Sequence, residues 1–179
     1  MALREPAVAG QFYPGSAEEL RQAVTDYTSA AKGDKIHARG CVVPHAGYMY
    51  SGGVAGAVYG RLELPKRFII LCPNHTGSGA PLSIMSEGSW KTPLGEVTID
   101  AELASALKAE FALLTEDASA HRAEHAVEVH LPFLQALVPD FSMVPITVGV
   151  GQFEVLAALG VVMARVIQTI GLEDRTFLS

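Results

Sequence analysis

The spacing of apolar positions divides the chain into alternating helical and extended stretches. Ser16 and Glu19 have the spacing of a capping box, and Leu20, Val24 and Tyr27 follow at helical intervals, which predicts a helix over 17–31. Residues 40–43 form a short apolar run stopped by Pro44 and predict a buried strand. From 53 to 64 small and apolar residues dominate, with Val54, Val58 and Leu62 on one helical face. Residues 68–72, Phe-Ile-Ile-Leu-Cys, are the clearest buried strand, closed by Pro73. Strand, helix and strand in this order make a βαβ unit with a parallel pair.

The middle of the chain is less regular. Residues 82–85 and 96–99 read as strands joined through a turn at 93–95, and Asp100 is placed to cap a helix over 101–111. A second helix is expected over 121–137, kinked or restarted at Pro132. Residues 141–144 and 146–148 read as a strand broken by Pro145, 153–170 as a strongly apolar helix, and 176–179 as the start of another strand. Neither repeats nor linkers interrupt the pattern. The expectation is one α/β domain over 1–179, with a mostly parallel central sheet and helices on both faces.

Composition supports that class and removes others. Hydrophobic residues make up 49% of the 179 and charged residues 18%, which suits a compact core and argues against disorder. The net charge of −6 and the absence of Lys/Arg runs argue against a nucleic-acid or anionic-membrane partner. The opening residues lack a secretory h-region, and the most apolar late stretch is interrupted by Arg165 and too short to span a membrane. Two cysteines do not make a disulfide framework, so a cytoplasmic location is expected.

Candidate chemistry centres on histidines. Val-Val-Pro-His45 and Leu-Cys-Pro-Asn-His75 end two strands alike, each with a proline and then a histidine, followed by Gly47 and Gly77. Parallel neighbours would put both loops at one carboxyl edge, where open α/β sheets bind ligands. Taken singly, each histidine reads as a loop cap; their repetition points to a joint site, either two metal ligands or a ligand and a general base. A third group, His121, Glu124, His125 and Glu128, falls on one face of the expected helix and reads as a site or as a solvated charged face. Glu-His-x-x-Glu is not the His-Glu-x-x-His pattern of a zinc protease. His130 reads as half-buried, Trp90 as a core or hairpin residue, and Cys41 and Cys72 as small buried hydrophobes.

Five segments carry a family resemblance: 4–14 (REPAVAGQFYP), 43–52 (VPHAGYMYSG), 72–75 (CPNH), 92–95 (TPLG) and 124–134 (EHAVEVHLPFL). In this order they resemble the MEMO family, which includes protein B of the AmmeMemoRadiSam system. The resemblance implies a fold similar to the catalytic subunit of class III extradiol dioxygenases, in which non-haem iron(II) opens a catechol ring with dioxygen. It implies that His45 and His75 are metal ligands and that Tyr50 lies at the pocket wall, with Tyr48 and Asn74 as further pocket candidates. Glu124 and His125 are the candidates for catalytic proton transfer or for a substitute ligand. Iron(II) is the first expectation for a divalent transition metal, with zinc or copper as alternatives.

Family members continue beyond Ser179 into a Ser-Asp and His motif and a cysteine third ligand, so the resemblance also implies a domain truncated at its C-terminus. On that reading the chain holds no metal unless another residue or water completes the set. The alternative class is a non-catalytic module that binds a small molecule, peptide or protein. AMME-domain and radical SAM proteins are the partners the resemblance suggests, and a homo-oligomer would cover an exposed edge at 176–179.

Overall fold

The computed structural model describes residues 2–170 and 176–178. In chain order the elements are β1 (Leu3–Arg4), α1 (Ala17–Ser29), α2 (Tyr48–Arg61), β2 (Arg67–Pro73), β3 (Leu82–Ile84), β4 (Ser89–Thr92), β5 (Gly95–Ile99), α3 (Ala101–Glu110), β6 (Thr115–Glu116), α4 (Leu131–Leu137), β7 (Ser142–Val148), α5 (Phe153–Thr169) and β8 (Thr176–Leu178). They build one mixed, mostly parallel sheet in the order β1-β4-β5-β7-β2-β8, with β3 paired to the second half of β7 and β6 paired to β3. The class is α/β, compatible with a dioxygenase-like fold.

β2 and β7 form the centre, paired in parallel from Arg67 with Ser142 to Pro73 with Val148. Both are apolar runs because both of their faces are covered. Phe68, Ile70 and Cys72 pack with α1, α2 and α4, whereas Ile69 packs with α3 and α5 on the opposite face. The two helical layers therefore follow from the alternation of side chains along β2. Ser16 caps α1 by accepting the Glu19 N–H at 3.2 Å, and Asp100 caps α3 by accepting the Leu103 N–H at 3.1 Å, both as the sequence predicts. Among the described residues no helix is long and apolar enough to cross a membrane.

Several expectations need correction. Residues 40–43 do not form a strand: the two sides of β2 are occupied by β7 and β8, and Val42 is 97% exposed. The βαβ unit therefore lacks its first strand. The helix expected at 53–64 begins at Tyr48 and buries Tyr48, Ser51, Gly52, Ala55, Gly56 and Tyr59, leaving Val54 exposed. Its small residues admit α1 so closely that a Cβ on Gly60 would lie 2.7 Å from the Thr28 carbonyl oxygen.

β4 is an additional strand, joined to β5 by a tight hairpin at Pro93 and Leu94, with Trp90 fully buried. Of the helix expected over 121–137, only Leu131–Leu137 is α-helical, with Pro132 in its first turn; 128–130 are a 3₁₀ turn and 121–127 are irregular.

Pro145 does not break β7. The Met143 carbonyl accepts the Asp100 N–H, so Met143 and, two residues on, Pro145 face the same flank. On that flank β5 ends at Met143 and β3 begins at Ile146, so the missing N–H falls in a gap between partners.

Candidate functional site

Three loops converge beyond the ends of these elements. His45 lies just before α2, His75 just after β2, and His125 in the irregular segment ahead of α4. The first loop is held by Ser51 Oγ donating to the Ala46 carbonyl at 3.0 Å and by the Tyr48 N–H donating to the Phe12 carbonyl at 2.7 Å. The second is shaped by Asn74, whose Oδ1 accepts from Thr76 Oγ1 and the Gly77 N–H, both at 3.0 Å, while its Nδ2 donates to the Ser78 carbonyl at 2.8 Å. Gly77 has φ +65°, the left-handed conformation that such a turn requires and glycine adopts without strain.

The imidazoles form a triangle. Ring centroids are 4.6 Å apart for His75 and His125, 5.1 Å for His45 and His75, and 6.0 Å for His45 and His125. Behind them Glu124 is fully buried and accepts four contacts: the His75 N–H at 2.6 Å, His75 Nδ1 at 2.8 Å, the His125 N–H at 2.9 Å and the Ala126 N–H at 3.0 Å. A carboxylate facing Nδ1 fixes the proton there and leaves Nε2 of His75 with its lone pair. Donor atoms of His75, Glu124 and His125 all lie within 4.8 Å of one another, a spacing that a single cation could span.

The electrostatics favour neutral rings at His45 and His125. Burial, then the neighbouring His75 and His125, lowers the pKa of His45; burial also lowers that of His125, against the opposing pull of Glu124. Burial alone would raise the Glu124 carboxyl, but its hydrogen bonds to His75 and Ala126 outweigh this and hold it below the usual range. The histidines open onto a cavity of about 650 Å³ lined also by Gln11, Phe12, Pro44, Ala46, Gly47 and Tyr50. The Phe12 ring packs 4.8 Å from that of His125, and Tyr50 stands 83% exposed at the rim.

The fold thus brings His45, His75, Glu124 and His125 together, with Tyr50 beside them. It does not bring Tyr48, which is buried among Tyr13, Tyr27 and Phe133 and donates its hydroxyl to the Val129 carbonyl at 2.9 Å. A tyrosine at the first position of an amphipathic helix turns to the core, while its second neighbour Tyr50 turns outward. Asn74 builds its loop and does not line the cavity. Cys72 is buried in the core and does not line the cavity, and burial pushes its thiol up to about 12.

His121 and His130 are buried away from the cavity lining, and His37 is exposed beside Glu63. Sequence reasoning missed Gln11 and Phe12 as a wall. The segment was conspicuous as part of the REPAVAGQFYP motif, but a phenylalanine there reads as core.

Comparison with known proteins adds a family. The sequence model of the family described as Memo-like protein matches residues 4–178. A MEMO1 family protein of Methanothermobacter thermautotrophicus is 41% identical over 180 residues, covering 94% of this chain and 65% of that protein. One from Aquifex aeolicus is 41% identical over 169 residues, with 94% and 63% covered, and one from Archaeoglobus fulgidus is 46% identical over 147 residues, with 82% and 54% covered. The chain therefore spans between 54% and 65% of the length of these relatives.

Proposed function

The chain belongs to the Memo-like protein family, and from that premise we propose that its histidine cavity is a centre for a divalent transition metal. The observation that carries the reading is the convergence of three imidazoles from three separate loops, one of them fixed by a fully buried carboxylate. Neutral nitrogen donors with an oxygen donor close by suit iron(II) first, and zinc or copper as alternatives.

His45 and His75 would hold the ion, with the His125 ring beside them. Glu124, which has no surface on the cavity, acts through His75 as a positioning residue. When bound, the metal would supply Lewis acidity and a place for a small molecule to coordinate. Phe12 and Tyr50 would border a bound ligand, and the imidazole left unligated would move a proton. In the whole protein this is a redox or dioxygenase-like activity.

The test is metal content. The protein is purified anaerobically under reducing conditions, and bound iron, zinc and copper are measured before and after titration. Stoichiometric metal in the wild type, lost in His45→Ala and His75→Ala, is the expected result; equal and negligible metal in all three would overturn it.

A second reading is favoured by the rim. Tyr50 lines the cavity and is strongly exposed, as are Val42 and Met49 near it in sequence, which suits a non-catalytic module binding a peptide or protein, such as an accessory subunit beside radical SAM or AMME-domain partners. Partner capture that survives loss of both His45 and His75 would support this reading over metal chemistry.

A further inference from the structure

Arg4 and Glu128 lie outside the cavity lining, yet both are tied to its walls. Their side chains are 4% and 0% exposed, and the guanidinium pairs directly with the carboxylate. The same guanidinium donates from Nη2 to the Glu124 carbonyl at 2.7 Å and from Nε to the His121 carbonyl at 3.0 Å, with its Cζ 4.2 Å from the centre of the Trp90 ring. It therefore grips both ends of the 121–124 turn.

Glu128 grips the other side. Its oxygens accept the Ala7 N–H at 2.9 Å, the Val8 N–H at 3.1 Å and the Tyr13 hydroxyl at 2.6 Å. The segment so held carries Gln11 and Phe12 to the cavity, where Phe12 packs on His125 and its carbonyl receives the first N–H of α2.

A buried ion pair is no better for stability than well-packed apolar side chains. What a guanidinium fork adds is direction, since its donors meet acceptors only at set angles. We propose that Arg4 and Glu128 are a positioning pair for the histidine pocket. They set the Glu124–His125 backbone in register with the Phe12 wall and, through the Glu124 carboxylate, fix the orientation and tautomer of the His75 ring. The functional meaning of this pair rests on the metal-centre reading, but its structural content does not.

The test begins without metal. Histidine is labelled with ¹⁵N, His75 and His125 are assigned with His75→Gln and His125→Gln, and ring tautomers are read by NMR in the wild type, Arg4→Lys and Glu128→Gln. Leu107→Ala, a cavity in the opposite core layer, serves as a control for stability loss alone. The expected result is a His75 ring protonated at Nδ1 in the wild type and in Leu107→Ala. In Arg4→Lys and Glu128→Gln it drifts towards the tautomer mixture of free histidine, and the His125 signals beside Phe12 move. Unchanged His75 and His125 signals in both variants would overturn the proposal, as would an equal change in Leu107→Ala.

Should Arg4→Lys and Glu128→Gln fail to fold, Tyr13→Phe removes one contact to Glu128 while keeping the ion pair, and the same two signals decide. Cobalt(II) titration then separates the two ideas. A wild type that binds no cobalt overturns the metal reading and leaves the NMR outcome to judge the positioning pair. Binding that weakens about 10- to 100-fold in Arg4→Lys and Glu128→Gln, as expected for groups that orient a ligand, supports both.

Discussion

The two faces of the sheet are held by different physics. Beneath α3 and α5 the buried cluster is aliphatic and aromatic throughout: Ile69, Ile84, Leu103, Leu107, Val144, Ile146, Leu159 and Met163 fill it. Beneath α1, α2 and α4 the apolar cluster adjoins buried Arg4, Glu124, Glu128, His121 and His130, which the 121–130 segment and the N-terminal arm bring together. Apolar packing is non-directional and tolerates small shifts, so it suits a scaffold. Buried charges and imidazoles demand particular partners at particular angles, so they suit a place where ring orientation matters. The chemistry lies on the face whose contacts are directional.

Acid should separate the faces most strongly. Burial lowers His121 to about 4 and His130 to about 3 from the ordinary 6.5, and Arg4 adds to the shift of His121. Between those values and 6.5 the unfolded chain binds protons that the native chain refuses, so stability is full above 6.5 and falls as pH drops towards 4 and then 3. At 1.36 kcal/mol per pH unit, the loss is roughly 3 kcal/mol for His121 and roughly 5 kcal/mol for His130. Urea midpoints measured from pH 7.5 down to 4 should decline through this window, and a flat profile would break the contrast.

Glu128→Ala is the next largest effect. It leaves the Arg4 guanidinium buried without its carboxylate and strands the Ala7 and Val8 N–H groups, at a cost of about 3–5 kcal/mol. Leu107→Ala on the opposite face should cost about 3 kcal/mol through its cavity alone. Metal binding at matched stability distinguishes the two faces: Glu128→Ala should weaken it and Leu107→Ala should not. If both variants bind metal like the wild type, the directional face has no special hold on the pocket.

The same division explains what could be read from sequence. β2, β7, α3 and α5 were legible because they carry continuous apolar runs, helical periodicity or a capping aspartate. The 40–43 run has the composition of a strand, but composition cannot say whether a sheet edge is open to receive it. On α2 the pattern singled out Val54, Val58 and Leu62, whereas the buried stripe is built from glycine, alanine, serine and tyrosine, residues that a hydrophobicity pattern ranks low.

The candidate site was legible in part. His45 and His75 stood out by repetition at two apparent strand ends, and the fold brings their loops together although one of those strands is absent. The helical spacing of His121, Glu124, His125 and Glu128 is misleading, because hydrogen bonds donated by Arg4 and by the His75 loop override helical propensity there. Arg4 and Glu128 could not be paired from sequence, being 124 positions apart.

The smallest predicted effects lie within one helix and test how α2 meets α1, the layer that carries the His45 loop. A Cβ on Gly56 would lie 2.5 Å from the Tyr27 Cβ and 2.7 Å from its carbonyl carbon, so the helices must separate to admit it. Alanine's better helix propensity, worth about 1 kcal/mol, offsets part of an overpacking cost of about 1–3 kcal/mol. Gly56→Ala should therefore destabilise by about 1 kcal/mol. Gly53, three residues earlier, has no atom within 4 Å of the same added carbon, so Gly53→Ala should stabilise by about 1 kcal/mol or slightly less. Opposite shifts of the thermal midpoint would establish that the small stripe, and not glycine content as such, sets the close approach of the two helices; shifts of the same sign would refute it.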